Sequence, residues 1–387
     1  MATAAARRAY AGPALFSFGF RPFFLFGSIW SALVVPLWVW SFMEGEPPEL
    51  TRGWHVHEML FGYLAAVVAG FLTTAVPNWT GRAPVIGGPL AVLFGLWVAG
   101  RLAMLFGGPA AAWVDPLFLI AFAAVVWREV LAGRNWRNLP VCLLVSLFAL
   151  ANVAYHLWPD ETGLALGARL ALAVAALLIS LIGGRIVPSF TRTWLRARGD
   201  AAQPTVPDRY DQATLGLTAA AMLAWAIMPD AKASGAILVA AGLLNLARLL
   251  RWRGWRTSAE PLVWILHVGY AWLGLGVTLL GASVFTLDIP RTAGIHALTA
   301  GAVGVMTLAV MSRATRGHTG RPLHADAWTL VVYLTVNAAA VVRVAAPFAD
   351  AAQPALLKVS AALWTLAFAG FAALYGRMLT APRLAAA

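Results

Sequence analysis

Stretches of about 20 apolar residues recur along the whole chain, and this length matches the hydrocarbon core of a bilayer. The chain is 61% hydrophobic and 11% charged, whereas a soluble domain carries about a quarter charged residues. We therefore predict an all-α, polytopic membrane protein with about twelve transmembrane helices. The predicted spans are 22–43, 55–76, 87–107, 112–131, 140–158, 163–187, 210–229, 233–253, 261–284, 292–312, 326–346 and 354–379.

The loops predict one integral membrane domain, 1–387, with halves 1–190 and 208–387 joined by a cytoplasmic loop. Arginine-rich loops alternate with neutral or acidic ones. Because positive loops stay in the cytoplasm, this alternation predicts that both termini are cytoplasmic. The net charge of +12 lies in these short loops, so it indicates membrane orientation and not nucleic-acid binding.

A metal site in this chain has to be built from histidines. Cys142 is the single cysteine, which excludes an internal disulfide and a cysteine-rich metal site. Four of the seven histidines fall near the predicted outer surface: His55, His57, His156 and His296. Polar groups in a bilayer are expensive, and imidazole suits haem iron and copper. Amphipathic histidines at the membrane interface are the alternative interpretation.

Spacing within the first histidine motif limits what it can bind. On a helix, residues two apart point about 200° away from each other. If the chain is helical from Trp54 onward, His55 and His57 serve different sites, whereas an extended turn would let both bind one copper. Glu58 follows and is expected to accept a proton, to orient an imidazole, or to cap the helix.

Two distant segments share a pattern. His57 and His296 each begin a span at the outer side, and each is followed 25 residues later by the arginine of a Thr-Gly-Arg sequence (82 − 57 and 321 − 296). The sixth predicted span also ends with glycine and arginine. Spans two, six and ten are four apart, which indicates a three-fold pseudo-repeat of four-helix units. Chance and shared membrane composition are the alternative explanation.

Several long motifs make the chain resemble the NnrS family. They are "FGFRPFFLFG", "WHVHEMLFGYLAAVVAGFLTTAVPNWTGR", "LIGGRIVPSFTR", "PLVWILHVGYAWLGLG" and "IHALTAGAVGVMTLAVMSRATRGHTGRPL". The resemblance implies a multi-pass protein of the bacterial inner membrane that contains haem, here expected to be b-type, and copper. It also implies a link to nitric oxide, denitrification and nitrosative stress.

The resemblance also identifies the residues that match the family's motifs, although it does not assign the metal ligands. The matching positions are His55, His57, Glu58, His267, His296 and His318, with His156 a weaker match at the end of the fifth span. We expect the six histidines to be metal ligands and Glu58 to be catalytic. Arginines near outer span ends are expected to bind the haem propionates: Arg52, Arg101, Arg169, Arg291 and Arg343.

The resulting functional hypothesis is a haem–copper membrane protein that binds nitric oxide and reduces it. Reduction needs an electron donor, and both a quinol and a cytochrome c are possible donors. One alternative is a transporter of copper, haem or a nitrosyl-iron species, because twelve spans in two halves suit a transporter. Another is a scavenger or sensor that binds nitric oxide without turnover.

Overall fold

The structure is a computed structural model that describes residues 10–47, 49–159 and 164–384. Within these ranges every regular element is a helix. The twelve long helices, in chain order, are α1 (Phe20–Glu44), α2 (Arg52–Thr80), α3 (Gly88–Phe106), α4 (Gly108–Ala132), α5 (Trp136–Leu157), α6 (Leu166–Ala197), α7 (Arg209–Ile227), α8 (Lys232–Leu250), α9 (Pro261–Ala282), α10 (Arg291–His318), α11 (Ala327–Phe348) and α12 (Asp350–Thr380).

Eleven of these helices are long and apolar enough to cross a membrane, which makes the chain a multi-pass helical membrane protein. The exception is α7, whose first turn holds Arg209, Asp211 and Gln212 and lowers its mean hydropathy. The predicted all-α fold is confirmed. The cytoplasmic placement of both termini stays a prediction.

The helices divide into two compact units. Unit 1 comprises Met1–Val174, Ala314–Pro322 and Phe368–Ala387, and unit 2 comprises Ala175–Arg313 and Leu323–Ala367. Three of these boundaries fall inside α6, α10 and α12, and the fourth falls in the loop after α10; none falls in the loop between α6 and α7. The expectation of one integral domain with halves 1–190 and 208–387 stays a prediction.

Unit 1 begins on the phenylalanine-rich motif that opens α1. The rings of Phe18, Phe20, Phe23 and Phe24 are fully buried. Between them, the Arg21 guanidinium donates hydrogen bonds to backbone carbonyls at the end of α12. Burial of several aromatic rings is a large apolar contribution, and the arginine satisfies helix-end carbonyls that would otherwise be unpaired.

The second, sixth and tenth helices share an uncommon feature, because each contains a π-helical segment. The segments are Glu58–Leu64, Ile179–Gly183 and Ala297–Val303. A π turn displaces backbone carbonyls from the regular hydrogen-bond pattern of the helix, and side-chain N–H groups then donate to them. The carbonyl of Gly62 accepts from the Trp97 indole at 2.9 Å, and that of Ser180 accepts from Arg248 at 3.0 Å.

The same three helices also end in the same way. A glycine with positive φ follows each of them: Gly81 at 71°, Gly199 at 69° and Gly320 at 80°. Glycine adopts this left-handed conformation without a Cβ penalty, so it is favoured just past a helix end. Gly81 and Gly320 are the glycines of the two Thr-Gly-Arg sequences. The predicted pseudo-repeat therefore has a structural counterpart in all three helices.

Candidate functional site

The site in unit 1 starts at the first turn of α2. The Thr51 hydroxyl caps this helix by accepting from the backbone N–H of Trp54 at 3.0 Å. Because the turn Arg52–His57 is α-helical, His55 and His57 leave it in different directions, as the helical interpretation of the sequence predicts. His57 is fully buried, while the His55 ring stacks on Trp38 at 4.2 Å.

Both ring nitrogens of His57 face side-chain oxygens. Nδ1 lies 2.8 Å from Oε1 of Glu58, and Nε2 lies 3.0 Å from Oδ2 of Asp115 and 3.2 Å from Oδ1 of Asn152. A protonated imidazole donates to a carboxylate on each side here. An imidazole that binds a cation through Nε2 still donates to Glu58 through Nδ1. The carboxylate of Glu58 therefore fixes the ring orientation in both states.

A second histidine reaches the same carboxylate. His156 ends α5 one turn after Asn152, and its Nε2 lies 3.2 Å from Oδ2 of Asp115. The His57 and His156 rings are 5.1 Å apart. One ligand atom each from His57, Asp115 and His156 lies within 4.8 Å of the other two, and we name this set the trio. Three helices, α2, α4 and α5, contribute one member each.

Arg101 joins the two carboxylates around His57. Its Nη1 donates to Oε2 of Glu58 at 2.6 Å, and its Nη2 donates to Oδ1 of Asp115. The Trp30 indole donates to the same Glu58 oxygen at 2.8 Å. Glu58 is 0% exposed and Asp115 is 1% exposed. Unpaired buried charges are strongly unfavourable, so Arg101 balances one carboxylate and a protonated or cation-bound His57 would balance the other.

The trio fits the copper that the resemblance implies. Two imidazole nitrogens and a carboxylate oxygen are donors used by copper, zinc and non-haem iron. The Nε2 atoms of His57 and His156 are 3.0 and 3.2 Å from Oδ2 of Asp115, and ligands of one ion lie within about 4 Å of each other. A haem iron fits the trio poorly, because the porphyrin already fills four positions and leaves room for one imidazole on each side.

The remaining predicted histidines lie outside the trio. His296 directly precedes the π segment of α10 in unit 2, and its Nδ1 lies 2.7 Å from the backbone oxygen of Thr292. His318 ends α10, where its ring packs against Phe18 and Phe20 in unit 1. Their roles as metal ligands stay predictions, as does that of His55.

His267, in α9 of unit 2, has a different environment. It is 7% exposed, and its Nε2 lies 2.8 Å from the Thr191 hydroxyl, which itself donates to a carbonyl one turn back in α6. The Thr191 hydroxyl uses its single hydrogen for that carbonyl, so the His267 ring donates to the hydroxyl oxygen through Nε2. The Nδ1 atom is buried without a hydrogen-bond partner among the described residues. Gly254 lies against it, and a Cβ there would stand 2.5 Å from Nδ1.

The five arginines expected near propionates have different surroundings. Arg52 is exposed at the start of α2, Arg169 donates to the carbonyl of Leu164, and Arg291 pairs with the exposed Asp230. Arg101 is engaged by two buried carboxylates, as described above. Arg343 is half-buried and has no ion pair or hydrogen bond within the described part of the chain.

Three members of the site were not among the residues predicted from the sequence: Asp115, Asn152 and Trp30. A signal existed for two of them. Asp115 is a carboxylate inside an apolar span, and Asn152 lies four residues before His156 and therefore on the same face of α5. The sequence carries no pattern that indicates a site role for Trp30, because tryptophans are common in membrane helices. Its contact with Glu58 joins two different helices.

Unit 2 contains a buried polar network of its own. Arg248 donates to Oδ1 of Asp211 at 2.7 Å and to the Tyr270 hydroxyl at 2.9 Å. That hydroxyl donates in turn to Oδ1 of Asn245 at 2.7 Å. The network joins α7, α8 and α9, and it satisfies the polar first turn of α7.

Comparison with known proteins agrees with this architecture. The model of the NnrS protein family matches residues 14–383, which is nearly the whole chain. No curated protein is similar enough in sequence to count as a match. The match covers every member of the trio together with Glu58 and Arg101. This protein therefore belongs to the NnrS family.

Proposed function

We propose that this protein binds nitric oxide at a metal ion held by His57, Asp115 and His156 and reduces it in the inner membrane of a bacterium. The observation that carries the proposal is the trio itself, whose three ligand atoms lie within 4.8 Å of one another in the interior of a multi-pass helical protein. Family membership supports the nitric oxide context. Nitric oxide is small, uncharged and lipid-soluble, so it can reach a buried centre through the bilayer.

Each residue of the site has a distinct part in this proposal. His57 and His156 would bind copper through Nε2, and Asp115 through Oδ2. A bound copper ion would supply an electron-accepting centre with affinity for nitric oxide. Arg101 holds the second oxygen of Asp115, which fixes the orientation of that ligand. Arrangements of this kind, in which other side chains orient the ligands, typically change metal affinity 10–100-fold.

Glu58 is the proposed proton-handling group. Reduction of two nitric oxide molecules to nitrous oxide and water consumes two electrons and two protons. The electrons would come from a quinol or a cytochrome c. Glu58 Oε1 lies 2.8 Å from Nδ1 of His57, so a proton can be held or moved between these two atoms. Asp115 is unsuited to this part because it is engaged as a ligand.

The proposal also includes a b-type haem, which residues outside the trio would bind. His267 is bonded through Nε2 and covered at Nδ1 by Gly254, so its ring is enclosed on both sides. His296 directs Nδ1 to the backbone carbonyl of Thr292 at 2.7 Å, which favours the neutral tautomer with its hydrogen on Nδ1 and the lone pair on Nε2. Among the predicted histidines of unit 2, His296 therefore suits haem iron better.

Purified protein with and without nitric oxide provides the test. We expect copper and haem to remain through purification, an EPR signal altered by nitric oxide, and continuous nitric oxide loss on an electrode with a reductant. Asp115→Asn and His156→Gln should remove the copper signal and the turnover. A single stoichiometric uptake would favour the scavenger, and loss of metal during purification would favour the transporter. Full metal retention in both variants would exclude the trio as the centre.

A further inference from the structure

The side chain of Tyr155 lies close to both histidines of the trio, although it does not belong to the trio. Its ring centre is 5.4 Å from that of His57 and 6.4 Å from that of His156. The Tyr155 hydroxyl donates to the backbone carbonyl of Gly53, in the first turn of α2, at 2.8 Å. Because Tyr155 belongs to α5 and is 9% exposed, this buried hydrogen bond joins α5 to α2 within unit 1.

The acceptor of this hydrogen bond belongs to the turn that carries His57. In a regular α-helix, the carbonyl of one residue accepts from the N–H four residues later, so the Gly53 carbonyl is the helical acceptor of His57. A metal ion that replaces the proton on Nε2 of His57 removes the hydrogen bonds from that nitrogen to Asp115 and Asn152. The bond between Tyr155 and Gly53 uses no atom of the trio, so it is kept when the metal binds.

The backbone of Tyr155 is fixed from a second direction by α6. A Cβ on Gly167 would stand 2.5 Å from the backbone nitrogen of Tyr155 and 2.5 Å from the carbonyl oxygen of Ala151. Small residues let two helix backbones approach this closely in a membrane protein. Tyr155 is therefore anchored to α6 through its backbone and to α2 through its hydroxyl.

We propose that Tyr155 is a positioning residue of the metal centre, which sets the separation of His57 and His156 by holding α5 against the first turn of α2. Metal ligands have to be held within about 0.5 Å of their working geometry by packing and by hydrogen bonds from residues outside the ligand set. His156 directly follows Tyr155, so a shift of α5 at this point moves the second ligand. Tyr155 has this part only if both histidines bind one ion, and the inference therefore rests on the proposed function.

Copper binding to the full-length protein in detergent provides the test. Tyr155→Phe keeps the ring and deletes the hydroxyl. Tyr210→Phe is the matched control, because the Tyr210 hydroxyl also donates to a backbone carbonyl, that of Leu244 at 2.9 Å, but in unit 2. The copper Kd is measured by competition with a chelator, the hyperfine splitting of Cu(II) by EPR, and the Tm by thermal unfolding.

For Tyr155→Phe we expect the copper Kd to rise about 10-fold or more and the hyperfine splitting to change, because the ligand separation is no longer fixed. Tyr210→Phe should lower the Tm by a similar amount and leave both copper measurements at their wild-type values. A purely structural role of Tyr155 would give the pattern of the control, and that result would overturn the inference.

Gly167→Ala disturbs the same residue from the side of α6 and covers the case in which Tyr155→Phe does not fold. The added methyl group would displace the Tyr155 backbone, so the copper Kd should rise and the EPR spectrum should change. Gly216→Ala, with nothing within 4 Å of its Cβ position in α7, should match wild type. Wild-type protein that binds no copper would refute the proposed function together with this inference. Wild-type copper binding that neither Tyr155→Phe nor Gly167→Ala alters would refute the inference alone.

Discussion

The Nδ1 of His57 lies 2.8 Å from Oε1 of Glu58, the residue that directly follows it. Neighbours in a regular α-helix point about 100° apart, and here the transition from α-helix to π-helix falls between them. The local widening of the helix lets one carboxylate orient the imidazole of the preceding residue. The π segment is therefore part of how the trio is oriented.

Removal of a trio ligand should remove the metal. For His57→Gln and for Asp115→Asn we expect the metal-to-protein ratio to fall at least about 10-fold, because each deletes one of three protein ligands. Inductively coupled plasma mass spectrometry on purified protein measures this ratio. His324→Gln, at an exposed histidine in the loop before α11, is the matched control and should keep the wild-type ratio.

Arg101 should contribute more to the stability of the fold than an arginine in an exposed ion pair does. Arg101→Gln leaves Glu58 and Asp115 buried without their cation, and breaking such a pair costs about 3–5 kcal/mol of unfolding free energy. Arg291→Gln breaks an exposed pair and should cost about 0–1 kcal/mol. Denaturant unfolding in detergent, followed by tryptophan fluorescence, compares them. Equal losses in the two variants would contradict the buried-cluster interpretation.

Gly62 should be intolerant of even a methyl group. A Cβ there would stand 2.6 Å from Nη1 of Arg101 and 2.9 Å from Oε2 of Glu58, so Gly62→Ala must displace the cluster. We expect a loss of about 1–3 kcal/mol in stability and weaker metal binding. Gly95→Ala is the control, because nothing lies within 4 Å of the Cβ position in α3. It should be neutral or slightly stabilising, and similar effects of the two variants would refute the contact.

The loop between α6 and α7 should keep its structure over the physiological pH range. The backbone N–H of Ala202 and the Arg256 guanidinium hold the pKa of Asp200 below its ordinary value of 3.8. A lowered pKa contributes stability above the ordinary value, and this contribution is lost only as the pH falls through the lowered one.

Hydrogen exchange of the peptide that contains Ala202, corrected for intrinsic rates, tests this expectation. Protection in wild type should be constant between pH 7 and pH 5, since Asp200 stays ionised throughout. Asp200→Asn should lower protection about threefold or more at both values, because a charged acceptor is replaced by a weaker one. A fall in wild-type protection above pH 5 would argue against the assigned contacts.

The sequence by itself determined the helical membrane fold, because a span is encoded by the local run of apolar residues that a bilayer requires. It also determined the ends of α2 and α10, since Gly81 and Gly320 act within one turn of their own helices. It identified His57 and Glu58 as site residues through the family motif. The opposite directions of His55 and His57 followed from helical geometry alone.

The tertiary structure decided the composition of the site. Asp115 and His156 lie on helices other than that of His57, 58 and 99 positions further along the chain (115 − 57 and 156 − 57), and helix packing alone brings them together. It also separated two arginines that look alike in sequence. Arg101 meets Glu58 and Asp115, which come from two other helices, whereas Arg343 meets no carboxylate in the described residues. Local pattern fixes where a side chain leaves its helix, and only the packing of helices fixes what it meets.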